Sequence, residues 1–179
     1  YAGTSTQMLV DGLEINRYSL YAEFDTKQGL FDASLERYDL EVLGRSFGPL
    51  EEPESGLDEI EELFEFYALA SDSPGWGRGC LLCNTAVETG PGESRGQAAV
   101  TAYFARIEAA FRHALGNAQR AGEVNSAVDV DGLARFLTSH IIGQFALIRA
   151  NVAPEVVESS AAVAIWILRR RIRPVEVVV

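Results

Sequence analysis

The chain has 179 residues, 47% apolar, 9% aromatic and 23% charged, with a formal net charge of −11. That length supports one globular domain, or two small ones sharing a core, able to bury about 70% of the unfolded surface without a metal or disulfide staple. The apolar content excludes disorder, the scattered Gly and Pro exclude a fibrous repeat, and the acidic balance opposes broad contact with a phosphate backbone. The longest apolar run, Ala161 to Leu168, is far shorter than the roughly 18–20 residues that span a bilayer. No signal-peptide pattern opens the chain, so it reads as cytoplasmic, with no membrane partner. It enters a structured-looking pattern directly at Tyr1, which leads us to expect a further segment before it.

Thr4 followed by Gln7 is a capping-box pattern, so a helix starts near Ser5 and runs to about Asp11. Asn16 is a good N-cap for a short helix from Arg17 to Phe24, with Leu20 and Phe24, four apart, facing inward. Asp25 or Thr26 then caps a longer helix beginning near Lys27. Two short helices, a tight turn between them and a long helix after them outline a helix-turn-helix unit.

Beyond residue 45 the prolines Pro49, Pro53, Pro74, Pro91, Pro154 and Pro174 are expected between periodic stretches, never inside one. Leu57, Ile60, Leu63, Phe64 and Tyr67 form one helical stripe, with Glu59, Glu62 and Glu65 turned to water. Val100, Phe104, Ile107, Phe111 and Leu115 form a second; Leu133, Leu137, Ile141, Phe145 and Ile148 a third. The segment from Gly122 to Gly132 separates those two. A fourth, small-residue-rich stripe of Val157, Ala161, Ala164, Ile165 and Leu168 ends in Arg169, Arg170 and Arg171, cations that suit a helix C-terminus. Only the short valine-rich tail after Pro174 hints at a strand. The expected fold is all-α with roughly eight helices.

Several groups invite a chemical reading. Cys80 and Cys83 form C-x-x-C, but zinc wants four ligands and a thiol oxidoreductase wants an acid or His beside the pair. Both cysteines read as small core residues, with a thiol-sensing regulator as the sharper competing reading. Glu51, Glu52, Glu54, Asp58, Glu59, Glu61, Glu62 and Glu65 follow mostly the solvent face of a helix, which argues against a metal site. His140 and Gln144, four apart on the third stripe, read either as a hydrogen-bonded core pair or as a polar pair orienting a ligand. No phosphate loop, nucleophile elbow or triad is present, so no catalytic residue, cofactor or enzyme is expected. The third and fourth stripes carry apolar residues on more than one face: Phe136, Ile142 and Leu147, then Val163 and Trp166. Cover on both sides is what a two-fold four-helix interface supplies, so a homodimer is expected.

The run Gly3-Thr4-Ser5, Ile15 to Phe24 and Thr26 to Phe31 resembles the TetR family of bacterial transcriptional regulators, with its Leu-Tyr-x-x-Phe, short turn and Ser/Thr-Lys-x-x-Leu. Arg78 to Glu88 also resembles the sixth helix of one large branch of that family. The resemblance implies an N-terminal helix-turn-helix DNA-binding domain, here residues 1–45 without its first helix. A helical ligand-binding and dimerisation domain, residues 46–179, would follow. It places Ser5 to about Asp11 as the second helix and Arg17 to Phe24 as the recognition helix, which lies with its N-terminus against base edges. Arg17 can then contact phosphate or guanine, Tyr18, Ser19 and Tyr21 backbone or base edges, and Thr4, Ser5 and Lys27 phosphates at helix starts.

The family usually has Gly where this chain has Glu14, and Gly12 is a position to which the turn can relocate. Expected effector contacts are Phe64, Tyr67, Trp76, Cys83, Phe104, Phe111, His140 and Gln144, around a small apolar or amphipathic molecule. Expected dimer contacts are Phe136, Ile142, Phe145, Val157, Ala161, Ala164, Ile165 and Leu168. The reading is a dimeric repressor of a near-palindromic double-stranded operator, released by that effector. Its rivals are a helical carrier or interaction protein that keeps the scaffold without binding DNA, and a thiol-responsive regulator using Cys80 and Cys83.

Overall fold

The protein's structure, a computed structural model, describes residues 1–89, 96–170 and 172. Pro91, Arg171, Pro174 and the valine-rich tail lie outside the described residues. Among those described the chain is helical throughout: α1 (Thr6–Leu13), α2 (Arg17–Phe24), α3 (Lys27–Tyr38), α4 (Gly44–Glu51), α5 (Leu57–Ala68), α6 (Leu81–Glu88), α7 (Gln97–Arg120), α8 (Val130–Arg149) and α9 (Pro154–Arg170).

Side-chain caps define the first three helices. Ser5 is the N-cap of α1, its hydroxyl accepting from the Met8 N–H at 3.1 Å. Gln7 does not close the expected capping box; its amide donates to Asp11 Oδ1 at 2.7 Å instead. Asn16 Oδ1 accepts from the Ser19 N–H at 2.7 Å at the head of α2, and Thr26 Oγ1 accepts from the Gly29 N–H at 2.9 Å at the head of α3. Each such cap contributes about 1 kcal/mol. Gly29 is required by contact as well. A Cβ built there would stand 2.1 Å from the Phe24 carbonyl oxygen, so no side chain fits where α3 starts against the end of α2.

The connection to the rest of the molecule is one helical rod. α3 runs into a π-helical turn at Asp39–Leu43 and then into α4 without leaving the helical region. Pro49, expected between helices, lies inside α4, in the last turn before the helix ends at Glu51. Arg106 of α7 pins the rod at two points: Nη1 is 3.0 Å from Asp39 Oδ1, and Nε is 2.6 Å from Glu51 Oε1.

The body packs α7 on α8 and α5 on α9, with α4 against α7. Its centre is aromatic. Phe64 and Phe111 stack at 6.1 Å, and Phe47 meets Phe111 edge-on at 6.3 Å, geometries that suit ring quadrupoles. The α5 stripe of Leu57, Ile60, Leu63 and Phe64 is buried as its spacing predicts. Glu61 departs from the solvent-face reading of its acidic block: it is buried, with Arg169 of α9 2.6 Å from its Oε2.

Most of the expected dimer contacts lie on α9 and face its own chain. Val157, Ala161, Ala164, Ile165 and Leu168 are all buried within the single chain, where small residues let α9 lie close on α5 and α8. Phe145 is likewise internal, its ring edge-on to Tyr67 at 4.8 Å. On α8 and α9 the large apolar side chains left exposed are Phe136, then Val156, Val163 and Trp166, each 45–57% exposed. Ile142 is half-buried against the core.

Candidate DNA-binding face and effector cavity

α2 presents its N-terminal residues outward. Only Leu20 is buried in it, and Phe24 is half-buried, so one face anchors the helix. Arg17 and Ser19 are exposed, Tyr18 is 83% exposed and Tyr21 40%. Ser5 at the head of α1 is also exposed, Thr4 half-buried. Lys27 stands at the first turn of α3, half-buried. Its Nζ donates to the Tyr1 carbonyl at 2.8 Å and lies 4.0 Å from the centre of the Tyr1 ring, so it is drawn toward the chain start.

The turn between α1 and α2 stays at Glu14, which adopts φ 54° and ψ 35°, and does not move to Gly12. That left-handed conformation costs a non-glycine residue about 1 kcal/mol. It also places a carboxylate beside the helix pair; across residues 1–30, Asp11, Glu14, Glu23 and Asp25 face two cations, Arg17 and Lys27.

A cavity of about 800 Å³ opens between the rod, α5, the segment after α5 and the end of α8, within the size range of small-molecule sites. Of the eight expected effector contacts, Tyr67 and Trp76 line it. Phe64 and Phe111 do not, because they are stacked in the closed core. Phe104 packs on Tyr103 at 5.2 Å. His140 lies between Phe64, at 5.3 Å, and Phe136, at 6.0 Å, close to Gln144 and Ser160. Burial lowers its pKa, keeping the ring neutral. Gln144 is buried with its carbonyl oxygen unpartnered. The cavity wall also holds Phe145, expected at the dimer interface, and Tyr38, Arg45, Phe66 and Arg78, none of them among the expected effector contacts. Arg78 stands in the α6 signature, but no sequence periodicity turns it toward the rod.

Cys80 and Cys83 meet behind the cavity. Gly79, at φ 63°, lets the chain press on α8, where a Cβ would come within 2.8 Å of the Arg149 Cβ. Cys80 follows as the N-cap of α6 and is buried. Its Sγ is 3.3 Å from Tyr103 Oη, and Cys83 Sγ is 3.6 Å from the same oxygen. Hydrogen bonding from Cys83, then from Tyr103 and Tyr38, holds the Cys80 thiol down at about 6, against the opposing effect of burial. Cys83 is pushed up by its bond to Cys80 and by burial. Tyr38 belongs to the rod and lines the cavity, so the thiols touch the element that joins the two parts of the molecule.

A capped, outward-facing second helix on a rod that enters a cavity-bearing helical body defines a helix-turn-helix regulator. Residues 56–163 match the family described as Tetracyclin repressor-like, C-terminal domain. A Bacillus subtilis protein named as the uncharacterized HTH-type transcriptional regulator YezE is 33% identical over 142 residues, which is 76% of this chain and 71% of that protein. The chain belongs to the TetR family of transcriptional regulators, and is not an enzyme. Among solved structures, a cysteine mutant of the TetR-family regulator CifR, complexed with 26-base-pair double-strand operator DNA, aligns with a TM-score of 0.81. It is 25% identical and covers 93% of this chain and 87% of its own. Reduced Escherichia coli NemR aligns at 0.80 and 19% identity, over 99% of this chain and 90% of its own. Among the described residues no helix is long and apolar enough to cross a membrane.

Proposed function

We propose that the protein is a homodimeric repressor that binds a near-palindromic operator through residues 1–45 and is released by a small amphipathic effector held in residues 46–179. The observation that carries the reading is α2: its start is fixed by the Asn16 cap and the buried Leu20, and it offers Arg17 and Tyr18 to solvent. A helix held in that way can enter a major groove as a rigid body. The operator complex of CifR supports a DNA partner of this kind. Effector binding would act through the rod, whose Tyr38 and Arg45 line the cavity while its first turn packs on α2. An effector with greater affinity for one rod position changes the spacing of the two DNA-binding helices in the dimer.

The test is fluorescence-anisotropy titration of the full protein with DNA from upstream of its own gene, beside scrambled DNA. The expected preference is about 10³-fold or more, and Arg17→Ala weakens specific binding by about 1–3 kcal/mol. Equal binding to both DNAs at every salt concentration overturns the reading in favour of a helical carrier.

A second reading is favoured by the two thiols on one tyrosine hydroxyl. Hydrogen peroxide would oxidise Cys80 and Cys83 to a disulfide, the two thiols supplying two electrons and two protons as the peroxide becomes two waters. Residues three apart at a helix start lie within reach of such a bond. Operator affinity should fall on peroxide treatment, recover with a dithiol reductant, and stay constant in Cys83→Ser. Unchanged affinity of the unsubstituted protein after peroxide rules the thiol switch out.

A further inference from the structure

The cavity's polar groups divide into those already engaged and those left over. Glu41 is ion-paired to Arg37 at 3.0 Å. The Tyr67 hydroxyl donates to Ser46 Oγ at 2.9 Å, and the Ser46 hydroxyl lies 3.3 Å from the Val42 carbonyl that accepts from it. The Tyr38 hydroxyl lies beside the Cys80 thiol. Two charged side chains on the wall, Arg45 from the rod and Arg78 from the loop before α6, pair with no carboxylate among the described residues. Of the eleven described arginines, five meet a carboxylate: Arg37, Arg106, Arg112, Arg135 and Arg169. Arg45 and Arg78 are the two without one that stand on the cavity wall.

The rest of the wall is aromatic: Phe66, Tyr67, Trp76 and Phe145. From the two unpaired guanidiniums beside this aromatic wall, we infer that the cavity takes an amphipathic organic anion, a carboxylate or sulfonate on an aromatic or aliphatic body. The inference rests on the effector role proposed for the cavity and adds the chemical class of the effector. Guanidinium forks match a carboxylate or sulfonate edge in planar geometry, while an apolar body displaces water from the aromatic faces. The net negative charge of the whole chain repels anions at long range, so selectivity for an anion must come from these two arginines. Arg45 is on the rod and Arg78 is not. An anion in the cavity therefore lies between the rod that carries the helix pair and the body, which is where an effector has to act.

The experiment compares two fluorescent probes on the full protein, anilinonaphthalene sulfonate and phenylnaphthylamine, which share their rings and differ in the sulfonate. Titrations are run on the unsubstituted protein, on Arg45→Gln and Arg78→Gln singly and together, and on Arg120→Gln at the far end of α7 as a charge control. The sulfonate probe should bind at least about 10-fold more tightly than the neutral one. Each cavity substitution should lower that affinity several-fold, and the double variant should bring it to the level of the neutral probe. Neutral-probe binding should stay constant throughout, and Arg120→Gln should behave as the unsubstituted protein. Equal or tighter binding of the neutral probe, or equal loss with Arg120→Gln, overturns the anion assignment and leaves the cavity as an effector site. No binding of either probe overturns both the anion assignment and the effector role of the cavity.

Discussion

His140 shows how a single side chain reports its surroundings. It lies on α8 between Phe64 and Phe136, with Gln144 and Ser160 as polar neighbours, and burial lowers its pKa below the ordinary value of 6.5. The unfolded chain therefore takes up a proton at a higher pH than the folded one. Stability is complete above about pH 6.5 and is lost as pH falls from there through the folded value. Urea unfolding at about pH 7.5 and about pH 5 should show lower stability at the acidic pH, with a smaller difference in His140→Asn. An identical acid loss in the variant would place the titration elsewhere. The sequence offered two readings of His140, core and ligand, because a polar residue on an apolar stripe suits either. The choice depends on Phe64, far away along the chain. Arg45 and Arg78 were invisible as cavity residues for the same reason: facing a cavity is decided by how three separate segments meet, not by local spacing.

At the scale of elements, caps and stripes were legible and the joints between them were not. Asn16, Thr26 and the α5, α7 and α8 stripes stand as their local chemistry predicts, since capping and amphipathicity act within a turn or two. The π turn at Asp39–Leu43 has no such signature. It is held from outside by Arg106, whose guanidinium reaches Asp39 at one end and Glu51 beyond the other. π turns commonly sit at functional positions in helices, and this one follows Tyr38 directly and puts its own Glu41 and Val42 on the cavity wall. Arg106→Gln should therefore loosen the rod more than it destabilises the fold. The expected cost to global stability is about 1 kcal/mol, because both pairs are partly solvated. Amide hydrogen exchange should rise across residues 39–51 and leave α8 unchanged. Exchange raised equally in α8 would make Arg106 a general stabiliser and not a clamp on the joint.

At the scale of the whole molecule, the expected homodimer rests on α8 and α9, whose apolar residues divide into an inward and an outward set. The sequence shows that α8 and α9 are apolar on more than one face, but not which face meets α5 of the same chain. The small-residue stripe of α9 is the inward one, since Ala161 and Ala164 allow the close approach that bulky residues prevent. The outward set is Phe136, Val156, Val163 and Trp166. Exposed apolar side chains on two adjacent helices are what an isologous interface uses. The two faces predict opposite behaviour on substitution. Val163→Glu, placing like charges opposite each other across a two-fold axis, should shift the protein from dimer to monomer at micromolar concentration in sedimentation velocity. Its circular-dichroism spectrum should remain that of the folded helical protein. Leu168→Ala, by contrast, removes a fully buried side chain and should cost about 2–5 kcal/mol of stability through the cavity it leaves. Its effect on association should follow only from unfolding. If Val163→Glu sediments as a dimer, the outward face of α9 is not the interface, and a two-fold contact must be sought on another surface.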